Sequence, residues 1–425
     1  MDKKVRKKLR NLVKNFDFKK NELGEIEKMY SGEFFNTQDA GYLKLLQKSK
    51  ALCEKYSSVC NQEIAKKRKY KKLKLPLFSY LKFYFKKSRL LKLLFPIHGF
   101  VLYAEDKIEA VIGLVDLKGY GFINREVRFT PNSLVKVEKS NIFALDIEVG
   151  SQEMEKSENL SRLTRITIEK NCWICGGVKI LKPCRIEKNS VLAAGAFVEE
   201  SFPENSLIAG RPAKLLKVID ENYQSTRVMA FKLSNEQKGK IICHIKKFNH
   251  GKCPMEYIKM LNGEVFNSMS KSLSFLYGLT RTLCNEYGLE STSQERKEEI
   301  LNILFPNHGK NFVVEENLYL DMIGTVTVGD NVTIKKNVKL GGNIILQNNS
   351  TIGKGCLLFA SGHSVKPNER SMKFSFKKGF YEDTQYDFIK VRENTVIGDH
   401  TVVCPNSIVE KSVPDNSLYV KNKIV

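Results

Sequence analysis

A histidine in a polar segment is the side chain best suited to catalysis. His363 lies in the segment Ser361-Gly-His-Ser-Val-Lys-Pro-Asn-Glu-Arg370. A neutral imidazole accepts a proton at cell pH, so this residue type can act as the general base that activates a weak nucleophile such as a hydroxyl group. The alternative is a buried or surface histidine without a catalytic role. The elements that surround His363 decide between the two interpretations.

Three further residues suit the binding of a phosphorylated ligand. Arg211 and Lys214 lie in Ala209-Gly-Arg-Pro-Ala-Lys214 and carry the charge that attracts phosphate groups. Trp173 is the single tryptophan of the chain and offers a large surface that could line a groove. Solvated charges and ordinary packing are the alternatives for these residues.

Cys172 and Cys175 form a CxxC pair, which is a spacing found in zinc sites. No second pair and no cluster of histidines accompanies it, so the pair is weak evidence for zinc. The ten cysteines are scattered along the chain, as is typical of a reduced cytoplasmic protein. We therefore expect no metal site.

Three sequence anchors occur twice, which indicates a tandem duplication. The pairs are Lys28-Met-Tyr-Ser-Gly-Glu33 with Lys259-Met-Leu-Asn-Gly-Glu264, Leu94-Phe-Pro-Ile-His-Gly99 with Leu304-Phe-Pro-Asn-His-Gly309, and Pro203-Glu-Asn-Ser-Leu207 with Pro414-Asp-Asn-Ser-Leu418. His98 and His308 belong to the second anchor in both copies, so we predict an architectural role for them. The first copy carries an insertion between its first two anchors, in the basic and aromatic segment 66–92.

The aliphatic residues of each copy recur with a period of six. In the second copy they are Val328, Ile334, Leu340, Leu346, Ile352 and Leu358. In the first copy they are Ile168, Ile174, Ile180, Ile186, Leu192 and Val198, after a weaker run at Leu117, Ile123, Phe129, Val135, Asn141 and Ile147. A six-residue unit makes a short strand and a tight turn, and three such units make one triangular coil of a parallel β-helix. The alternative is a β-sandwich of short strands, but its spacings would be irregular.

The period breaks once in each copy, between Ile147 and Ile168 and between Leu358 and Val391. A segment must loop out of the coil at both places. His363 stands at the start of the second loop, where its ring could reach a cleft instead of the packed interior.

Segments with the helical spacing of apolar residues precede both regions of period six. The sequence therefore predicts four regions. These are a helical cap with the insertion at 1–100, a first β-helix at 101–218, a linker and second helical cap at 219–303, and a second β-helix at 304–425.

The formal net charge of +23 favours an anionic partner, which could be nucleic acid, an anionic membrane or a phosphorylated ligand. The sequence shows neither a signal peptide nor an apolar run of about 18 residues, so we expect a cytoplasmic protein. The segment 66–92 could make peripheral membrane contact, with a solvated basic helix as the alternative. No nucleic-acid-binding motif accompanies the charge, so we expect no nucleic-acid partner.

Several of these motifs resemble those of the maltose, galactoside and nodulation-type sugar O-acetyltransferases of the hexapeptide-repeat superfamily. The segment Glu27–Glu33 and its repeat resemble the family's cap motif, and 361–370 resembles its histidine loop. Asn171-Cys-Trp-Ile-Cys-Gly176 resembles the coil with the family's tryptophan, and 209–214 resembles its closing motif. The resemblance implies a mainly β fold with two left-handed parallel β-helices, each preceded by a helical cap.

The resemblance also implies an activity and roles for the candidate residues. Acetyl-CoA would be the co-substrate, a sugar or glycan hydroxyl the acceptor, and a homotrimer or a multiple of it the assembly. His363 would be the general base, with Glu369 orienting its ring and Arg370 either pairing with Glu369 or holding the loop. Trp173, Arg211 and Lys214 would bind the coenzyme.

Each copy departs from the family pattern. Gln152 occupies the histidine position in the first copy by sequence alignment, and a glutamine cannot accept a proton near neutral pH. The second copy has Val396 at the closest match to the tryptophan and lacks the Arg-Pro-Ala-Lys closure. We therefore hypothesise that His363 works with the coenzyme-binding surface of the first copy, including Trp173 and Arg211.

Two other functions remain open from the sequence. A duplicated β-helix could bind a glycan or a protein partner as a scaffold without catalysis, which the loss of histidine from the first copy favours. An N-acetyltransferase for an amino sugar, or a serine-type acetyltransferase, would use the same base and the same coenzyme.

Overall fold

The computed structural model describes every residue except 1, 71–76, 100–101, 120, 221–232, 250, 371, 376–378, 387, 405–406, 421–422 and 425. It divides the chain into two compact units. The first unit contains residues 1–66 and 70–221, and the second contains residues 67–69 and 222–425. The bounds predicted within each copy, at 100, 218 and 303, stay predictions.

The first unit begins with a cap of four α-helices. They are α1 (Lys3–Phe16), α2 (Gly24–Ser31), α3 (Ala40–Tyr70) and α4 (Leu77–Leu94). Within the described part of the chain no helix has the length and apolar character needed to span a bilayer. The side chains of residues 66–84, in the segment predicted to contact a membrane, lie outside the described residues.

The strands of the first unit form three sheets whose neighbouring strands run parallel, except at the closing hairpin. The first side holds β2 (Val115–Leu117), β5 (Ser133–Val137), β10 (Thr164–Ile168) and β13 (Cys184–Ile186). The second holds β1 (Leu102–Ala104), β3 (Gly121–Ile123), β6 (Asn141–Phe143), β11 (Trp173–Ile174), β14 (Val191–Leu192), β16 (Ser206–Gly210) and the antiparallel β17 (Ala213–Val218). The third holds β4 (Val127–Phe129), β7 (Ile147–Val149), β12 (Lys179–Ile180) and β15 (Phe197–Val198). A hairpin, β8 (Glu155–Ser157) with β9 (Leu160–Arg162), projects between β7 and β10.

The second unit repeats this plan. Its cap has α5 (Asn235–Phe248), α6 (Met255–Asn262), the strand β18 (Val265–Asn267), α7 (Lys271–Tyr287) and α8 (Gln294–Leu304). The first side holds β21 (Val326–Val328), β24 (Asn343–Leu346), β30 (Phe388–Val391) and β33 (Ser407–Val409). The second holds β19 (Val313–Val314), β22 (Thr333–Ile334), β25 (Thr351–Ile352) and β31 (Val396–Ile397). The third holds β20 (Tyr319–Leu320), β23 (Lys339–Gly341), β26 (Leu357–Phe359), β32 (Val402–Val403), β34 (Leu418–Val420) and the antiparallel β35 (Lys423–Ile424). The looped-out segment contains β27 (Ser361–Gly362), β28 (Met372–Ser375) and β29 (Gly379–Tyr386).

The predicted fold class, mainly β with two left-handed parallel β-helices, is confirmed. The inward residues of the six-residue period form continuous columns in which each strand pairs with the coil above and the coil below. Leu340 pairs with Leu358, for example, and both side chains are completely buried. Stacking of this kind buries the apolar column and satisfies the backbone hydrogen bonds of the short strands.

The second half of the weaker run of the first copy, at Val135, Asn141 and Ile147, is out of phase with the structure. The register pairs Leu117 with Val137 and Phe129 with Val149, so Val137 and Val149 are the inward residues in place of Val135 and Ile147. Two extra residues in the turn before β5 cause this slip. Because Val135 and Ile147 lie two residues before the inward positions, they are also buried, which made the wrong phase look regular.

Asparagines at the turns form ladders that run along the coils. In the second unit the side-chain amide of Asn311 donates to Asn331 (2.9 Å), Asn331 donates to Asn349 (2.9 Å), and Asn349 donates to Asn394 (3.0 Å). All four have a positive φ between 53° and 57°. Asparagine tolerates this left-handed conformation better than most residues because its side chain bonds locally. The ladder therefore satisfies both the turn geometry and the amide groups.

The two caps hold their β-helices by matching contacts, which supports the duplication. The hydroxyl of Ser49 accepts the N–H of Ile112 (3.0 Å) and donates to a carbonyl of its own helix. In the second unit the hydroxyl of Thr280 accepts the N–H of Ile323 (3.1 Å) and also donates within its helix. These N–H groups are buried, so the cap supplies partners that the coils cannot.

Candidate active site

The segment that follows His363 forms a small antiparallel sheet against the cap of its own unit. Strand β29 pairs with β27, which immediately precedes His363, and also with β18 of the cap. Strand β28 completes a hairpin with β29. His363 thus lies at the point where the chain leaves the β-helix, as predicted, and its side chain is 9% exposed. Backbone pairing holds the two residues directly before His363, and the next paired strand, β28, begins at Met372.

Arg370 holds the loop that begins at His363. Its side chain is buried, and its Nη1 atom donates to the carbonyl oxygens of Val365 (3.0 Å) and Ser364 (3.3 Å). A guanidinium group suits this position because it presents several donors in one plane. Holding the loop and pairing with Glu369 both stay predictions for the role of Arg370.

Glu369 contacts other side chains of the same loop. Its carboxylate accepts a hydrogen bond from the hydroxyl of Ser364 (2.7 Å) and lies 3.5 Å from Nζ of Lys366. The side chain of Glu369 is 55% exposed, so the ion pair with Lys366 is screened by water and contributes little stability. An orienting contact between Glu369 and the imidazole stays a prediction.

The first unit has a shorter structure at the corresponding place. Its β8–β9 hairpin reaches the cap through a bridge between Ser161 and Phe35, as β29 reaches Phe266 in the second unit. Val149 and Leu358 occupy equivalent positions before the loop, in the third coil of each unit. The loops that follow these positions differ in length and strand content, so the alignment of Gln152 with His363 stays a prediction. The segment still contains no histidine, so the first copy lacks this base.

Trp173 lies in the middle of the second side of the first unit, between Ile142 and Val191. Its neighbour Ile174 points inward and is completely buried, so Trp173 projects from the outer face of the sheet. The residue is nevertheless only 8% exposed. Little of its surface is therefore available to a ligand, and packing explains most of its burial.

Arg211 takes part in a cluster of two cations and one aromatic ring. Its guanidinium lies 4.5 Å from the ring centre of Phe197, and Nζ of Lys179 lies 5.3 Å from the same centre. The Nε atom of Arg211 also donates to the carbonyl of Gly195 (2.9 Å). Such cation–π contacts orient the charged groups without neutralising them. We refer to Lys179, Phe197 and Arg211 as the Phe197 cluster.

Lys214 has a charged partner. Its Nζ lies 3.0 Å from the carboxylate of Glu200, and both side chains are more than half exposed.

Lys179 was not identified as a candidate from the sequence, although the period of six indicates its position on the outer face. Lys179 precedes the inward residue Ile180 and pairs in register with Phe197 on the next coil, so both side chains must share the outer face.

The remaining candidate residues, His98, His308 and Cys172, contact backbone carbonyl groups. The rings of His98 and His308 both bond through Nδ1 to the carbonyl of the glycine that follows, at 2.5 and 2.9 Å. The thiol of Cys172 is buried and lies 3.2 Å from the carbonyl of Glu187. No group of three or more metal-binding side chains is found in the part of the chain that the structure describes.

Comparison with known proteins gives partial matches. No protein-family model matches the chain. A stretch of 61 residues is 46% identical to a protein named as an acetyltransferase in Saccharomyces cerevisiae, covering 14% of this chain and 31% of that protein. A stretch of 101 residues is 29% identical to the galactoside O-acetyltransferase of Lactococcus lactis, covering 24% of this chain and 44% of the relative. The chain thus matches less than half the length of these curated relatives.

Solved structures of low similarity carry related names. One is a hexapeptide-repeat acetyltransferase of Vibrio cholerae complexed with acetyl-CoA, at 18% identity and a TM-score of 0.36, covering 47% of this chain and 100% of that chain. Another is a galactoside acetyltransferase in complex with coenzyme A, at 18% identity and a TM-score of 0.35, covering 50% of this chain and 98% of that chain. The local sequence similarities confirm the resemblance to sugar O-acetyltransferases of the galactoside type, and in this chain the β-helical unit occurs twice.

Proposed function

We propose that the protein transfers an acetyl group from acetyl-CoA to a hydroxyl group of a sugar or glycan, with His363 as general base. The observation that carries this proposal is the position of His363, at the exit from the β-helix and at the start of a loop that Arg370 holds by two hydrogen bonds. The sequence similarity to the galactoside O-acetyltransferase supports the same reaction class.

The reaction requires one base. Neutral Nδ1 or Nε2 of His363 would take the proton of the acceptor hydroxyl while its oxygen attacks the thioester carbonyl. The carbon–sulfur bond then breaks, and the sulfur of coenzyme A leaves with the proton that the imidazole returns. Arg370 would act as a positioning residue because it binds loop carbonyls and keeps the start of the loop in place.

The Phe197 cluster is the best candidate for the phosphates of coenzyme A in the first unit. Arg211 and Lys179 are two cations held by one ring, and phosphate groups bind such a pair through charge-assisted hydrogen bonds. Lys214 is a weaker candidate because Glu200 already neutralises it. Trp173 would contribute only through the small part of its ring that remains exposed.

The experiment is an acetyl-CoA consumption assay with a panel of sugars, amino sugars and serine as acceptors. We expect a hydroxyl-bearing sugar to be the best acceptor and His363→Ala to lower kcat by about 10²–10⁴-fold. His400→Asn is the matched control, because His400 is an exposed turn histidine whose positive φ an asparagine accepts. A His363→Ala chain that keeps its fold and full turnover would contradict the proposal.

The panel also separates the other functions. Preference for an amino sugar or for serine would identify an N-acetyl or serine-type transferase. Binding of a glycan without any consumption of acetyl-CoA would identify a scaffold. The resemblance further predicts a trimer or a multiple of it, which sedimentation of the purified protein would measure.

A further inference from the structure

A straight row of cations runs along the outer face of α1. Lys3, Lys7, Arg10 and Lys14 are separated by four, three and four residues, so they share one face of the helix. All four side chains are exposed. At a rise of 1.5 Å per residue the row is about 16 Å long. We call these four residues the α1 row.

The helix that carries the α1 row is fixed to the body of the first unit. Its opposite face is buried through Val5, Leu9 and Leu12. Polar contacts secure it further: Asn11 donates to the carbonyl of Leu93 (3.0 Å), and the buried Lys8 lies 2.8 Å from the carboxylate of Asp116. The α1 row therefore cannot turn inward, and its charges stay on the outer face of the helix.

The α1 row has no anionic partner among the residues that the structure describes. No acidic residue occurs between Lys3 and Phe16. Other lysines of the same cap are paired, such as Lys28 with Glu25 (2.6 Å). Like charges at helical spacings of three and four residues repel one another, so an unneutralised row lowers the stability of its helix. An external anionic surface would remove this repulsion.

A second element adds charge beside α1. Lys92, at the end of α4, and Lys7 both lie close enough to His98 to contribute to lowering the pKa of its ring, although burial is the larger cause. Lys92 is also exposed. The cationic surface is thus wider than the α1 row alone.

We propose that the α1 row binds the surface of an anionic phospholipid membrane. A cluster of four to eight lysine and arginine residues on a helix is typical of binding to anionic lipid headgroups. The row lies on the back of a docked helix, where a flat surface can contact all four cations together. Val13, beside the row, is 50% exposed and adds an apolar contact suited to the headgroup region.

Sequence-specific recognition of duplex DNA fits the α1 row less well. Proteins that recognise a DNA sequence often place a helix in the major groove. Amide or other polar side chains of that helix form hydrogen bonds with the base edges. The α1 row offers only lysine and arginine, and an apolar Val13 stands next to it. Duplex DNA therefore serves as the competitor in the test.

The test is co-sedimentation of the full chain with vesicles of phosphatidylcholine alone and of phosphatidylcholine with about 30% phosphatidylserine. One variant carries Lys3→Gln, Lys7→Gln, Arg10→Gln and Lys14→Gln. The matched control removes the same number of charges from exposed positions of the second unit: Lys246→Gln, Lys247→Gln, Lys335→Gln and Lys336→Gln. Circular dichroism and acetyl-CoA consumption check that both variants keep their fold and activity.

We expect binding to the anionic vesicles only, weakened by added salt, and a fall of about tenfold or more in partition for the α1 variant but not for the control. Three results would each overturn the proposal. They are no binding to anionic vesicles, equal binding by the α1 variant and the control, and displacement of the vesicles by a short DNA duplex at equal charge concentration.

Discussion

Arg370 and Val365 are joined by a hydrogen bond of 3.0 Å between Nη1 of the arginine and the backbone carbonyl of the valine. The bond spans the turn that follows His363, and a second bond from the same nitrogen reaches Ser364. Because the donor is buried, water cannot easily replace it. The position of the proposed base therefore depends on a residue seven positions further along the chain.

We expect Arg370→Ala to lower kcat by about 10²-fold, because a small displacement of a catalytic group has an effect of this size. The KM for acetyl-CoA should change little, since Arg370 lies in the loop and not in the Phe197 cluster. Arg370→Lys should recover only part of the rate, because an ammonium group lacks the planar set of donors. Steady-state kinetics measure both values, and an unchanged kcat in Arg370→Ala would contradict the positioning role.

Arg211→Ala should raise the KM for acetyl-CoA by about tenfold with a smaller effect on kcat, as expected for a residue that binds the coenzyme equally in the ground and transition states. Lys214→Ala is the matched control. Since Glu200 pairs with Lys214 at the exposed surface, its removal should change the KM by less than about twofold. Equal effects of the two substitutions would exclude a special role for the Phe197 cluster.

Thr280→Val should lower the free energy of unfolding by about 1–3 kcal/mol, because it leaves the buried N–H of Ile323 without a partner. Thr280→Ser keeps the hydroxyl and should have a smaller effect. Ser49→Ala tests the matching contact in the first unit. Thermal and urea unfolding measure the change, and a stability of Thr280→Val equal to that of Thr280→Ser would show that the hydrogen bond contributes nothing.

Asn331→Gly and Asn331→Ala separate the two contributions of the asparagine ladder. Glycine accepts the positive φ but loses both amide bonds, so we expect a loss of about 1 kcal/mol. Alanine is also strained in the left-handed region, so we expect its loss of stability to be larger by about 1–2 kcal/mol. Denaturant unfolding measures both values. If alanine and glycine were equal, the turn geometry would not be the reason for asparagine at this position.

Stability should fall as the pH decreases below about 6.5, the ordinary pKa of histidine. Burial lowers the pKa of His244 in the folded state, while its Nε2 atom bonds to the carbonyl of Ile303 at 3.0 Å. Between the unfolded and the folded pKa only the unfolded chain binds the proton, so acid favours unfolding there. His244→Gln should reduce this slope. His98 shifts in the same direction, so part of the slope should remain. An identical slope in the variant would contradict the assignment.

The inward columns of the β-helix could be predicted from the sequence because the period of six reports burial directly. The phase was wrong only where two extra residues in a turn left another set of buried residues at the same spacing, as at Val135.

Contacts that join distant segments could not be predicted. The pairing of β29 with β18 connects the loop to the cap. Neither strand has a sequence pattern from which its partner strand could be identified. The hydrogen bonds of Arg370 to carbonyl groups also cannot be predicted from the sequence. Every residue has a backbone carbonyl, so the sequence does not indicate which of them Arg370 contacts. The Phe197 cluster is different. Its members Lys179 and Phe197 lie one coil apart on a regular repeat, so their neighbourhood follows from the register.

The looped-out segment between β26 and β30 is about twice as long as the one between β7 and β10, yet the coil resumes its register after both. Doubling the length of a flexible loop raises the free-energy cost of closing it by only about 0.6 kcal/mol. A corner of the β-helix can therefore gain or lose residues almost without penalty to the remainder of the fold. Two copies of one unit can in this way diverge in chemistry while their scaffolds stay interchangeable, and an engineer could transplant a new loop at the same corner.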